Sequence, residues 1–496
     1  MNTKRPFVLA AVMLGMFMAA VEATIVATAM PSIVSDLGGF SLFSWVFSSY
    51  LLMQVVMIPI YGKLSDMFGR KIIFCIGISI FLVGSFLCGL STTIEFLILS
   101  RFIQGIGAGA VQPIATTIVG DIYTKEERAK IQGYLASVWG ISSVMGPVLG
   151  GIFVAVAHWK WVFWVNIPFG IIAMIGVIIF LHEEVEKQTK KIDYIGSGLL
   201  LVTVSALMIV FIQGGVYWSW TSPQIISLML LVVVAFFLFL YQEKRAEDPV
   251  MSLSIWRHKL IATANVASLT LGAMLIGVSS FLPTYVQIVL DQPAVIAGFT
   301  LTMVSIGWPI SSTLAGRWII TKGTWKTAMY GGVSILIGSI LFLTLSIVQH
   351  PLWAGAGSFF LGAGMGFSTT TFIVSIQSTV SWRLRGVATA SNMFMRLLGS
   401  ALGVAMLGGI LNTRMKQYLE GVMEGEDFTI KPSLDVVNLL LDPIGREQFT
   451  VRERELIEEG LTSSLNSVYV GVFILALISF FLIINLPKNE SNDLDK

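Results

Sequence analysis

Fourteen apolar runs succeed one another along this chain, each close to the ~20 residues an α-helix needs to cross the hydrocarbon core of a bilayer. They begin near residues 7, 43, 72, 94, 131, 159, 192, 223, 261, 297, 328, 352, 386 and 466. In hydrocarbon every backbone N–H and C=O must be satisfied within the protein, so runs of this length are expected to be helices. Composition agrees: 12% of residues are charged, against about 25% in soluble domains. The expected fold class is all-α, a membrane protein with 14 transmembrane helices. A net charge of +2, with its bases scattered among loops, says nothing about nucleic acid, and no nucleic-acid partner is expected. Cys75 and Cys88 share one run and stand roughly 20 Å apart along a helix, too far for a disulfide. The first run is too long for a cleavable signal peptide and is interrupted by an acid.

An even number of spans places both termini on one side, and Lys and Arg choose which side. The face holding the termini and the loops after even-numbered spans carries 22 of these residues, whereas the short loops of the other face carry only Lys160. Six more lie in the long segment 412–465, and Arg101 and Arg396 lie within spans. The basic face, with both termini, is expected to be cytoplasmic.

Gly62-Lys-Leu-Ser-Asp-Met-Phe-Gly-Arg-Lys71 reads as a tight charged hairpin between spans 2 and 3, with glycine giving backbone freedom at both ends. A basic anchor has no need of Asp66. The frame returns 254 positions later in Gly316-Arg-Trp-Ile-Ile-Thr-Lys-Gly323. With the offset changed to 257, Gly105, Gly107 and Gly109 match Gly362, Gly364 and Gly366. Arg128, Gly146 and Gly151 then match Arg385, Gly403 and Gly408. This is the pattern of a duplicated chain, and internal repeats in a polytopic membrane protein point to a transporter. The expected organisation is a six-helix bundle over 1–186, two inserted helices with charged linkers over 187–250, and a second six-helix bundle over 251–496 that includes the outer segment 412–465. The insert shows no buried charge and is read as packing and spacing.

Charges inside spans carry the most information, because a charge at mid-bilayer costs about 2.5–3.5 kcal/mol on insertion scales and therefore faces a cavity or a partner. There are three: Glu22 in span 1, Arg101 in span 4 and Arg396 in span 13. Glu22 lies roughly 22 Å into its span from the basic face, and Arg101 roughly 10 Å from the opposite face, so both sit at similar depth. They are expected to face one cavity and to couple, with Glu22 as proton carrier; a permanent structural ion pair is the other reading. Arg396 lies near the midplane, as a gate or as a substrate or proton site. A further candidate set is Tyr50, Gln54, Gln104, Trp139, Tyr285 and Trp308, a lining that could stack on flat lipophilic cations. Each of these residues has an equally simple reading as core or interface packing. Segment 412–465 is a solvated outer hairpin or helix, or a lid or cation-collecting surface. His158, His182, His258 and His350 show no metal or haem spacing, and no Gly-x-x-x-x-Gly-Lys-Ser/Thr loop is present, so no metal, no cofactor and no enzyme activity are expected.

Together these stretches resemble the major facilitator superfamily, and within it the 14-span drug:proton antiporter group (drug:H+ antiporter family 2). Gly62–Lys71 is similar to its loop 2–3 motif, and Arg101-Phe-Ile-Gln-Gly-Ile-Gly-Ala-Gly109 to its span 4 motif. Ser142, Gly146, Pro147, Gly150 and Gly151 resemble the antiporter motif of span 5, with Ser142 where glycine is usual. Glu22-Ala-Thr-Ile-Val-Ala-Thr-Ala-Met-Pro31 resembles the span 1 motif, with Glu22 where aspartate is usual. The second half departs: Ile320, Ser358 and Val404 stand where Asp66, Arg101 and Pro147 stand in the first.

The resemblance implies two bundles rocking about a central cavity. Gly62, Asp66, Gly69, Arg70 and Lys71 would form a gate against the start of span 13. Glu22, Arg101 and Arg396 would couple protons, and span 5, bent at Pro147, would limit leakage. It implies a proton-coupled multidrug exporter of lipophilic, often cationic, compounds in the cell membrane, functional as a monomer. Its partners would be those small molecules, protons and the lipid bilayer. A narrow exporter of one metabolite, siderophore or lipid is the alternative, and a non-transporting membrane sensor a more distant one.

Overall fold

The computed structural model describes residues 3–37, 43–183, 193–214, 218–247, 249, 253–292, 294–423 and 449–488, and among them there is no β-strand. The first bundle contains α1 (Arg5–Leu37), α2 (Phe43–Phe68), α3 (Arg70–Gly89), α4 (Ile94–Ile122) and α5 (Lys125–Val156). It closes with the short α6 (Trp161–Trp164), which leads into α7 (Asn166–Phe180). Then come α8 (Tyr194–Gln213), α9 (Pro223–Arg245) and the short α10 (Leu253–Trp256). The second bundle contains α11 (Lys259–Thr284), running on as a π-turn over Tyr285–Val289, then α12 (Ala294–Lys322), α13 (Thr324–Leu343), α14 (Leu345–Val348), α15 (Pro351–Thr379), α16 (Arg385–Met423) and α17 (Val451–Ile484).

Among the described residues eleven helical stretches are long and apolar enough to cross a membrane. The α5 and α12 helices lie against each other between the two bundles. A Cβ on Gly133 would meet Thr313, and one on Gly140 would meet the Ser305 carbonyl. Small and polar residues suit such a protein-covered face.

The duplication is also a repetition of packing. A Cβ on Gly105 or Gly109 would strike the carbonyls of Tyr50 and Gln54, and one on Gly362 or Gly366 the carbonyls of Val304 and Trp308. Gly107 packs on Gly77 and Phe81, just as Gly364 packs on Gly331 and Ile335. Every one of these pairs keeps the sequence offsets of 254 and 257. Gly69 and Gly323 start α3 and α13 with φ of 92° and 83°, a region that disfavours any side chain.

Gly62–Lys71 is not a loop with glycine at both ends. The α2 helix continues to Phe68, and Gly69 alone breaks it before α3 begins. Gly62 is helical, and its missing Cβ lets α2 touch Ala390 and Gly386 on α16. The inserted pair covers this seam: Leu200, Val204, Met208 and Phe239 cluster with Val55, Ile58, Met393 and Phe394. It also buries a charge, contrary to the expectation, because α9 extends past residue 242 and holds Glu243 at 4% exposure.

Within 412–465, residues 424–448 lie outside the described residues. The flanking parts are helical extensions of α16 and α17. Thr450 and Glu453 form a capping box at the start of α17, and Gly460 packs on Tyr418.

Candidate functional site

Three places gather the polar chemistry. The first is the interior of the first bundle. Arg101, from α4, reaches Glu22 on α1, donates to Gln104 Oε1 at 2.6 Å and to the Val46 carbonyl at 3.1 Å, and lies 4.2 Å from the Tyr50 ring. The Asn166 amide donates to the other Glu22 oxygen at 2.5 Å, and Gln104 donates to Ser85 at 2.7 Å. Glu22 and Arg101 are both fully buried. Each charge is compensated, so Glu22 can exchange Arg101 for a proton only if the pair opens. Beside it α1 and α5 meet closely: Thr24 donates to the Ser142 carbonyl at 3.2 Å, and Gly146 lies directly on Thr24. Gly150 is buried, Gly151 faces open space, and the Pro147 side chain lies outside the described residues, although α5 is helical throughout.

The second place is the basic face. Asp66 accepts from the backbone N–H groups of Gly386 at 3.1 Å and Val387 at 2.9 Å, capping the N-terminus of α16 from the other half. A carboxylate there is favoured by the helix dipole and the unpaired N–H groups. Arg70 donates to Asp66 at 2.6 Å, to the Ser65 and Trp382 carbonyls at 3.0 Å each, and stacks 4.1 Å from the Trp382 ring. Its Nε lies 3.0 Å from Asp121, an ion pair without hydrogen-bond alignment. Asp121 in turn meets Arg385 at 3.2 Å. Gln377 donates to the Thr116 carbonyl at 3.3 Å. Lys71 instead caps α7, donating to the Ile178 and Leu181 carbonyls at 2.7 and 2.9 Å. The halves are thus joined here.

Seven residues make two helical turns, so Gly133 and Gly140 share one side of α5, and both touch α12.

The third place is a central cavity of about 140 Å³ between the halves. The duplication is visible in its wall: Gln112 and Thr369, Thr116 and Ile373, Ala136 and Met393, and Trp139 and Arg396 are all pairs at offset 257. Of the candidate lining, Trp139 and Trp308 are on the wall. Tyr50, Gln54, Gln104 and Tyr285 are not: the first three pack inside the first bundle, and Tyr285 packs on Tyr469 in the second. Glu22 and Arg101 meet as expected but do not face this cavity. Met16 faces it, and six residues on, Glu22 is turned about 120° around α1 toward α4 and α7. Arg396 does line it, with its guanidinium 5.8 Å from the Trp308 ring.

Sequence reasoning missed Asn166, a neutral residue 144 positions from Glu22, and the Asp121–Arg385 pair across the halves. Arg385 carried a signal as the match of Arg128; Asn166 carried none.

Comparison with known proteins decides the family. The model of the Major Facilitator Superfamily matches residues 12–404. The chain belongs to the major facilitator superfamily. Relatives within it include "Multidrug resistance protein 3" of Bacillus subtilis (strain 168), 36% identical over 96% of this chain and 93% of that protein. "Multidrug transporter protein MdtP" of the same organism is 31% identical over 99% and 95%. The "MFS-type efflux pump MMF1" of Pseudozyma antarctica (strain T-34) is 28% identical over 97% and 90%. Among solved structures, the human organic anion transporter MFSD10 (TETRAN) shares the superfamily fold, with a TM-score of 0.66 at 13% identity, covering 97% of this chain and all of that one.

Proposed function

We propose that this superfamily member is a proton-coupled exporter of structurally varied lipophilic compounds, working by alternating access across the cell membrane. The observation that carries the reading is the junction at the basic face, closed by Asp66, Arg70, Asp121 and Arg385, above a central cavity between the halves. With the basic face cytoplasmic, opening this junction would expose the cavity inward, and holding it closed would seal that side while the cavity opens outward.

Full-length relatives that bear the names of multidrug and efflux proteins favour export of more than one compound. Glu22 supports proton coupling, because a carboxylate held by one arginine and one amide can take a proton when the pair opens. The energy suffices: one proton supplies roughly 2.3 kcal/mol per 100 mV and about 1.4 kcal/mol per pH unit. A neutral compound exchanged one-for-one could then be held at a gradient of several hundredfold.

The test is efflux of ethidium and, in parallel, of the anionic dye carboxyfluorescein from loaded, energised cells, with and without a protonophore, for wild type and Glu22→Gln. Efflux abolished by protonophore and by the substitution is expected. Efflux that survives a protonophore would overturn proton coupling, and inserted, folded protein that exports neither dye would leave the narrow metabolite exporter.

A further inference from the structure

The central cavity carries one charge, and it is positive. Among the described residues Arg396 is the sole charged side chain on the wall. No carboxylate among them pairs with it. Glu22 is engaged by Arg101 and Asn166, while Asp66 and Asp121 are engaged at the basic face. Two further polar nitrogens on the same wall have no hydrogen-bond partner: the Trp139 indole N–H and the amide nitrogen of Gln132, a side chain 7% exposed. The acceptors present, such as Ser312 and Thr370, are bonded to each other at 2.5 Å. Duplication sharpens the point, since Arg396 occupies the place that Trp139 holds in the first half, so a cation has been set opposite an indole.

A guanidinium that faces a cavity and has no carboxylate partner favours an anion there. Arg396, backed by Trp308 and Met393, is completed by a ligand with an apolar body and an anionic head. We propose that this cavity binds amphiphilic anions, with a carboxylate or sulfonate on Arg396 and the ligand's apolar body against Trp139, Trp308 and Met393. The arginine fork matches a carboxylate or sulfonate in two-point geometry, whereas an organic cation would enter against a like charge. The proposal rests on the exporter reading and names its cargo.

The test uses a pair of probes with one ring and opposite charge, naphthalene-2-sulfonate and (2-naphthyl)trimethylammonium. Their binding to the purified full chain in detergent is measured by isothermal titration. The sulfonate is expected to bind at least about tenfold tighter, the factor expected from a hydrogen bond to a charged group. Arg396→Gln should bring the two affinities together, Arg396→Lys should keep a preference for the sulfonate, and Trp139→Phe should weaken the sulfonate by a smaller factor. Equal or tighter binding of the ammonium probe by the wild type overturns the proposal, whether or not the Arg396 variants fold. Displacement of the sulfonate by phosphatidylglycerol at matched concentration would also overturn it, assigning the site to a lipid headgroup. Ethidium efflux that needs the proton gradient, from a protein with no preference for the sulfonate, would keep the exporter reading and sink this one. Absence of all efflux would sink the exporter reading, while the binding ratio still judges the cavity.

Discussion

In the first bundle the place where α1 approaches α4 is filled by Glu22 and Arg101; the matching places in the second bundle hold Leu271 and Ser358, both buried. The match follows from packing, since Gly146 lies on Thr24 as Gly403 lies on Ala273, which carries Glu22 onto Leu271. Two bundles of one design therefore differ in that one has a charged pair at this place and the other an uncharged one. The second bundle shows that the architecture needs no buried ion pair. Such pairs are weak sources of stability and costly to break, so the pair in the first bundle fits a role in coupling better than a role in folding.

The largest break in this comparison is Arg101→Leu, which leaves Glu22 buried and uncompensated. It should cost about 3–5 kcal/mol, read as a lowered unfolding midpoint in detergent, while Glu22→Leu combined with it should recover most of the loss. Ser358→Ala at the matching place should change stability by no more than about 1 kcal/mol. A double variant as unstable as the single would show that the pair is structural.

Next in size is the junction, which also lacks a counterpart. Asp66→Asn weakens two backbone acceptor contacts and an ion pair, worth about 1.5–3 kcal/mol for a charged acceptor. It should speed alkylation of a cysteine placed at Val387 in a background without Cys75 and Cys88 by about tenfold or more. Ile320→Asn, at the matching exposed place, should leave that rate unchanged.

Where the halves agree, their variants should agree. Gly107→Ala and Gly364→Ala each force a Cβ into a neighbouring helix, and each should cost about 1–3 kcal/mol. The smallest pair is Gly69→Ala and Gly323→Ala, about 1–2 kcal/mol each from positive φ. Nothing lies within 4 Å of a Cβ at Gly323, so its cost is backbone strain alone. Unfolding midpoints that split either pair widely would break the equivalence of the bundles.

Much of this was legible in the sequence because length and hydrophobicity are local properties. Apolar runs located the helices, and glycine offsets located the repeat, since each glycine marks a close helix contact. The meeting of Glu22 with Arg101 was legible from depth alone. What faces the cavity was not, because depth does not fix rotation: Glu22 and Met16 differ by a third of a turn, and Gln104 looks inward from α4, which also touches the cavity. The Gly62–Lys71 stretch misled because its charges resembled a loop, whereas Gly62 is there for α16. Glu243 was missed because the helix outran its apolar run. Asn166 has no charge to reveal it.

The most direct measurement is proton release when naphthalene-2-sulfonate or ethidium is added to the purified protein in weakly buffered detergent solution, comparing wild type with Glu22→Gln. Substrate-dependent release from the wild type and none from the variant is the result expected of a proton carried in the first bundle and cargo held between the two. Equal release from both proteins would contradict it and place the proton elsewhere.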